Sequence, residues 1–135
     1  MLKIEEISLA SCSYHFLPVS SADQEADISI SFFTKPDPIK CNDIFRMTVF
    51  VGFCVISENT KTECNYLVNY TADTEEQFSV LQDKVIVSHI IPYLRELIAG
   101  LTMRSNSKVI NIPPTNTNLL LKAYNEKQGD QQVKE

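Results

Sequence analysis

The hydrophobic period changes once along this chain, and that change sets its fold class. Between residues 27 and 72 apolar side chains recur at every second position, the repeat of a strand with two unlike faces; from about Gln82 they recur three and four residues apart, the repeat of a helix with one buried face. Strands first and helices afterwards predict an α+β protein: a four-stranded antiparallel sheet followed by one long and one short helix packed on one face. The strands are expected near residues 2–16, 27–34, 43–57 and 62–72. The first alternates imperfectly, with Ile4, Ile7 and Leu9 and then Cys12, Tyr14 and Phe16, and its breaks in phase predict a bulge on an edge strand. The second sets Ile28, Ile30 and Phe32 against Ser29 and Ser31 and stops before Pro36 and Pro38, which cannot serve a central ladder. The third carries Phe45, Met47, Val49, Val51, Phe53 and Val55 on one face and passes from Arg46 and Thr48 to Phe50, Gly52, Cys54 and Ile56 on the other. That pattern predicts a central strand covered on both faces along part of its length. After a hairpin loop, the fourth alternates Cys64, Tyr66, Val68 and Tyr70 with Asn65, Leu67 and Asn69.

In the helical half, Val87, Ile90, Ile91, Leu94, Leu97, Ile98 and Leu101 form one stripe. Pro92 has no N–H to donate, so it belongs either in the first turn, with Ser88 as cap, or at a kink. Gly100 costs about 1 kcal/mol of helix stability relative to Ala, which predicts another backbone crossing closely there. Beyond Pro113 and Pro114, Asn116 or Thr117 can cap a second helix bearing Leu119, Leu120, Leu121, Ala123 and Tyr124. One domain over residues 1–127 and a flexible tail over 128–135 are expected.

Composition narrows the function. With 44% apolar and 21% charged residues, the 135-residue chain can bury one core, and a formal net charge of −5 argues against nucleic acid or anionic membrane as partner. The N-terminal residues lack the pattern of a secretory signal, and no apolar run approaches the roughly 18 residues that span a bilayer, so a soluble cytoplasmic protein is expected. Cys12, Cys41, Cys54 and Cys64 include no C-x-x-C pair, so no metal site is expected. Cys12, Cys54 and Cys64 lie in apolar or alternating runs and are expected as small buried hydrophobes.

Catalysis has little to draw on. The histidines are His15 and His89, and Gly52, Gly100 and Gly129 make no phosphate loop, so neither a catalytic residue nor a cofactor is expected. An alternative keeps a small-ligand-binding or catalytic α+β domain with a pocket near the sheet, around His15, Tyr66 and Tyr70. Two surplus apolar surfaces point elsewhere. The helical stripe is broader than one small sheet needs, which predicts an oligomer contact through Ile90, Leu94, Ile98 and Leu101. Leu119, Leu120 and Leu121 in succession cover about 200–300° of a helix, so part of that surface stays accessible to a partner unless the helix simply caps the core.

Residues 89–124 carry a more specific signal. Pro92-Tyr93-Leu94-Arg95-Glu96-Leu97-Ile98, then Asn111-Ile112-Pro113-Pro114-Thr115-Asn116, then Tyr124 together resemble the C-terminal half of the bacterial export chaperone SecB and its toxin–antitoxin-associated relatives. The resemblance covers nearly the whole chain in element order. It implies an ATP-independent holdase that binds unfolded polypeptides, preproteins or an antitoxin, and that works as a homotetramer, a dimer of dimers with the long helices between two sheets. Carried onto matching positions, the client groove would include Pro113, Pro114, Leu120, Leu121 and Tyr124, with Leu17 and Val19. Members that deliver clients to the export motor use acidic residues on the outer sheet face. Here the matching positions hold Ser11 and His15 on the first strand and Leu67 or Thr71 on the fourth, a departure that counts against contact with the motor.

Overall fold

A computed structural model describes residues 2–16, 27–56, 60–104 and 117–133, with the side chains of 16, 102–104 and 129–133 left out. Five antiparallel strands are followed by two helices: β1 (Lys3–Phe16), β2 (Asp27–Thr34), β3 (Ile39–Cys41), β4 (Ile44–Ile56), β5 (Thr60–Ala72), a short 3-10 turn (Glu75–Val80), α1 (Asp83–Arg104) and α2 (Thr117–Val133). The sheet runs β1-β5-β4-β2, and β3 pairs with the start of β4. The sequence predicts four strands; the fifth, β3, is three residues long and lies just past Pro38. It closes on β4 as a hairpin in which Cys41 faces Ile44, and Asn42 takes the left-handed conformation (φ 58°) that this residue type tolerates.

Bulges decide which side chains reach the core. In β1 the pairing with β5 slips by one residue at Glu5 and again at Ala10. Those two steps bring Ile4, Ile7, Leu9, Cys12, Tyr14 and Phe16 opposite Tyr70, Val68, Tyr66, Cys64, Thr62 and Thr60, so an irregular apolar spacing becomes one face. In β2 the slip falls at Ser31 and overturns the simple alternation: Phe33, opposite Val51, follows Ile28 and Ile30 inward, whereas Phe32 turns outward over Gly52. A Cβ on Gly52 would lie 2.5 Å from the Phe32 ring, so that position needs glycine to let the ring cross.

The inner faces of β4 and β5, Met47, Val49, Val51, Phe53 and Val55 with Cys64, Tyr66, Val68 and Tyr70, are buried beneath Ile86, Val87, Ile90, Ile91, Leu94 and Ile98 of α1. Lys35, just beyond β2, donates to the Leu81 carbonyl at 2.6 Å and pairs with Asp83 at 3.7 Å, tying the sheet to the first turn of α1. Helix α1 starts five residues before Ser88, whose hydroxyl donates to the Lys84 carbonyl inside the helix instead of capping it. Pro92 therefore sits in the helix interior, and the Ser88 carbonyl loses its usual donor. Helix α2 continues to Val133, past residue 128, where the sequence reading places the start of a flexible tail. No helix among the described residues is long and apolar enough to cross a membrane.

Candidate functional site

The two edges of the sheet differ, and the candidate site lies at the β1 edge. Among the described residues β1 pairs only with β5 and α1 covers the middle of the sheet, so they roof the apolar face of β1 only in part. Between that face and the second half of α1 lies a cleft of about 350 Å³, walled by Ile7, Leu9 and Tyr66 from the strands and by Tyr93, Leu97, Gly100 and Leu101 from the helix, with Glu96 at its rim. Leu9 is 41% exposed and Tyr93 50%, large values for apolar side chains flanking one opening. Burial pushes the Tyr66 hydroxyl well above its ordinary acidity range, so the wall it forms is uncharged. A Cβ on Gly100 would meet nothing within 4 Å. No backbone among the described residues crosses there; the glycine leaves space in the cleft.

The opposite edge is closed. Helix α2 lies along β2, with Leu120, Leu121 and Tyr124 half-buried against the core, and the Phe33 backbone N–H donates to the Tyr124 hydroxyl at 3.2 Å. An unpaired edge donor is thereby satisfied by a side chain. Leu119 points away from the subunit at 62% exposure, so the run of three leucines does exceed one buried face.

These positions change how several predicted site residues stand. Ile90, Leu94 and Ile98, expected at an oligomer contact, are 0%, 0% and 1% exposed within their own subunit and hold α1 onto the sheet. The breadth of the stripe is taken up by the sheet, and its open shoulder is the exposed Tyr93 with the half-buried Leu97 and Leu101. Leu101 alone of the four opens onto the cleft. Leu17, Val19, Pro113 and Pro114 lie outside the described residues. Ile7 and Leu9 were not singled out by sequence, although the two breaks in the phase of β1 were the signal that places them on this face.

The proposed pocket around His15, Tyr66 and Tyr70 is not assembled. His15 faces Lys61 on the outer side of the sheet, while Tyr66 and Tyr70 are buried on the inner side. Tyr70 shares a hydrogen bond with His89 Nδ1 at 3.0 Å, and burial raises the pKa of its phenol to about 12, so the phenol stays uncharged where it ties sheet to helix. The outer face carries a polar ladder beside the apolar Phe32, Phe50 and Leu67: Asn65 donates to Ser11 at 2.7 Å, Thr48 to Asn69 at 2.5 Å, Asn69 to Glu6 at 3.3 Å, and Arg46 pairs with Glu5 at 3.3 Å. Ser11, His15, Leu67 and Thr71 all lie on this face, opposite Asn65, Lys61, Ser8 and Lys3. Of the cysteines, only Cys64 is fully buried; Cys54 is half-buried and Cys12 and Cys41 are exposed, so burial as small hydrophobes holds for one and in part for another.

No family model matches the sequence, and no curated protein is found similar to it. Solved structures do match. A Mycobacterium tuberculosis SecB-like chaperone, in complex with a ChAD peptide from the HigA1 antitoxin, superposes with a TM-score of 0.56 at 12% identity, covering 85% of this chain and 91% of that one. A Streptococcus agalactiae protein of unknown function superposes with a TM-score of 0.55 at 6% identity, covering 84% and 98%. The chain has the SecB-like fold, an antiparallel sheet roofed by two helices in the order expected from residues 89–124.

Proposed function

We propose that this protein is an ATP-independent holdase that binds non-native polypeptide through apolar surface and makes or breaks no covalent bond. The observation that carries it is apolar surface left open on both flanks of a SecB-like fold: the cleft with Leu9, Tyr93, Leu97 and Leu101 on one side, and Leu119 of α2 on the other. Shallow apolar contacts need no particular client sequence, and several of them on one chain multiply in effect. The cleft beside the β1 edge suits contact between subunits in a homotetramer, with Leu101 on its wall. The α2 flank, with Leu119, Leu120, Leu121 and Tyr124, suits the client, and the family resemblance adds Pro113, Pro114, Leu17 and Val19 to that groove.

An antitoxin is the favoured client over an exported preprotein, for two reasons. The Mycobacterium tuberculosis neighbour holds an antitoxin peptide, and Ser11, His15, Leu67 and Thr71 leave the outer face without acids at the positions the export motor would read. A cytoplasmic location goes with this role. The wild-type protein in several-fold excess should suppress aggregation of a reduced, unfolded client without ATP, because it binds the unfolded state in preference to the native one. Leu119→Ser should weaken that binding by about 1 kcal/mol at unchanged circular dichroism and mass, one subsite among several. An intact oligomer that leaves aggregation untouched at that excess sinks the proposal.

A further inference from the structure

The geometry points to a thiol-oxidation site, Cys12 with Cys64, that forms an intrachain disulfide with a two-electron oxidant of the peroxide class. It rests on strand register alone and stands apart from the holdase reading. The two residues are direct partners across β1 and β5, and their sulfurs are 3.7 Å apart. Opposed residues of an antiparallel pair have Cα atoms about 4.5–5.5 Å apart, inside the range a disulfide spans, so rotating the side chains is enough to bring the sulfurs to about 2.0 Å. The remaining cysteines lack this arrangement: Cys41 faces Ile44, and Cys54 faces Glu63 and Ser29.

The two thiols differ in a way that divides the labour. Cys12 is exposed on an edge strand and can meet a solute, whereas Cys64 is fully buried and its thiol is pushed up by burial first and by Cys12 second. The thiolate of Cys12 attacks one peroxide oxygen; the S–O bond forms, the O–O bond breaks, and the departing hydroxide takes up a proton to leave as water. Cys64 then gives up its proton and attacks the sulfenic sulfur, forming the S–S bond as the S–OH bond breaks and a second water leaves. Two thiols and one peroxide become one disulfide and two waters, with both electrons supplied by the sulfurs. The bond would tie the open edge strand to its neighbour one step from Leu9 and Tyr66, which wall the cleft.

The test treats the native full-length protein with a small excess of hydrogen peroxide, blocks residual thiols and maps peptides without reduction. The wild-type chain should lose two of its four thiols, lose the mass of two hydrogen atoms and yield a linked Cys12–Cys64 peptide, all reversed by a reductant. Its denaturation midpoint should rise on oxidation, since the bond closes a loop between residues 52 apart in the unfolded chain. Cys41→Ser and Cys54→Ser should behave as wild type, and Cys12→Ser should form no intrachain bond. Cys64→Ala serves beside Cys64→Ser in case the buried hydroxyl prevents folding. Four thiols surviving peroxide that oxidises a reference dithiol, or Cys12 passing to sulfinic acid with Cys64 unlinked, would overturn the assignment.

Discussion

The β2 edge and the β1 edge border the same sheet and are finished in opposite ways. At β2 the chain closes on itself: Phe32 crosses Gly52 with no room for a methyl group, and Tyr124 reaches over from α2 to accept the Phe33 N–H. At β1 the apolar face is set in register by two bulges and then left half-uncovered, with a glycine of α1 facing empty space. An open edge with apolar side chains is a hazard unless something uses it. The contrast teaches that packing among the described residues is complete on one side only, and that the unfinished side is where a further segment or another chain has most to gain.

The largest effect that can break this contrast comes from charge. Leu94→Asp should unfold the subunit, costing about 4 kcal/mol or more because the carboxylate would be fully buried without a partner. Leu9→Asp, on the open face, should leave circular dichroism unchanged and lower the mass seen by light scattering. If Leu94→Asp stays folded and only dissociates, α1 is an interface after all and the division between the edges is wrong.

The two glycines give the next comparison. Gly52→Ala should cost about 1–3 kcal/mol in a urea titration, since the Phe32 ring must move. Tyr124→Phe keeps the ring and removes the acceptor for Phe33, so it should cost about 1 kcal/mol and speed hydrogen exchange at the Phe33 amide. Gly100→Ala should do the reverse and stabilise the subunit by about 0.5–1 kcal/mol, because the helix gains propensity and the methyl group meets nothing. A loss of stability confined to the oligomer would sharpen the picture, since it would place a second subunit's backbone against Gly100.

Much of this was legible from the sequence. The alternation of β4 and β5 and the change of period near Gln82 locate the core and the first helix to within a residue or two, because long periodic segments are bound to a buried face. What escaped was local geometry and competition between faces. The slip at Ser31 exchanges the roles of Phe32 and Phe33, and nothing in the alternation of apolar residues distinguishes the two arrangements. Residues 39–41 are too short and too close to Pro36 and Pro38 to read as a strand. At the site, a helical stripe shows which residues are buried without showing what buries them, so Ile90, Leu94 and Ile98 looked available for a partner when their own sheet takes them. Tyr124 reads as part of a client groove with no hint of its tie to β2, because the edge donor that engages it is ninety-one positions away in sequence.

The two slips in β1 also bear on how this chain can vary in length. Each adds one residue without advancing the ladder, so deleting Ala10 would leave Leu9 opposite Tyr66 and Ile7 opposite Val68, whereas deleting Ser8, which is paired, would send Ile7 to the polar side and Glu6 inward. A compensating insertion beside such a deletion would restore the phase, and one placed nearer the N-terminus would restore it only for the residues before it. Homologous chains are therefore expected to tolerate single-residue gaps at Glu5 and Ala10 and to show length changes elsewhere in this strand as matched pairs, so an unmatched gap at a paired position would mark either a misplaced gap or a chain that has given up the open face.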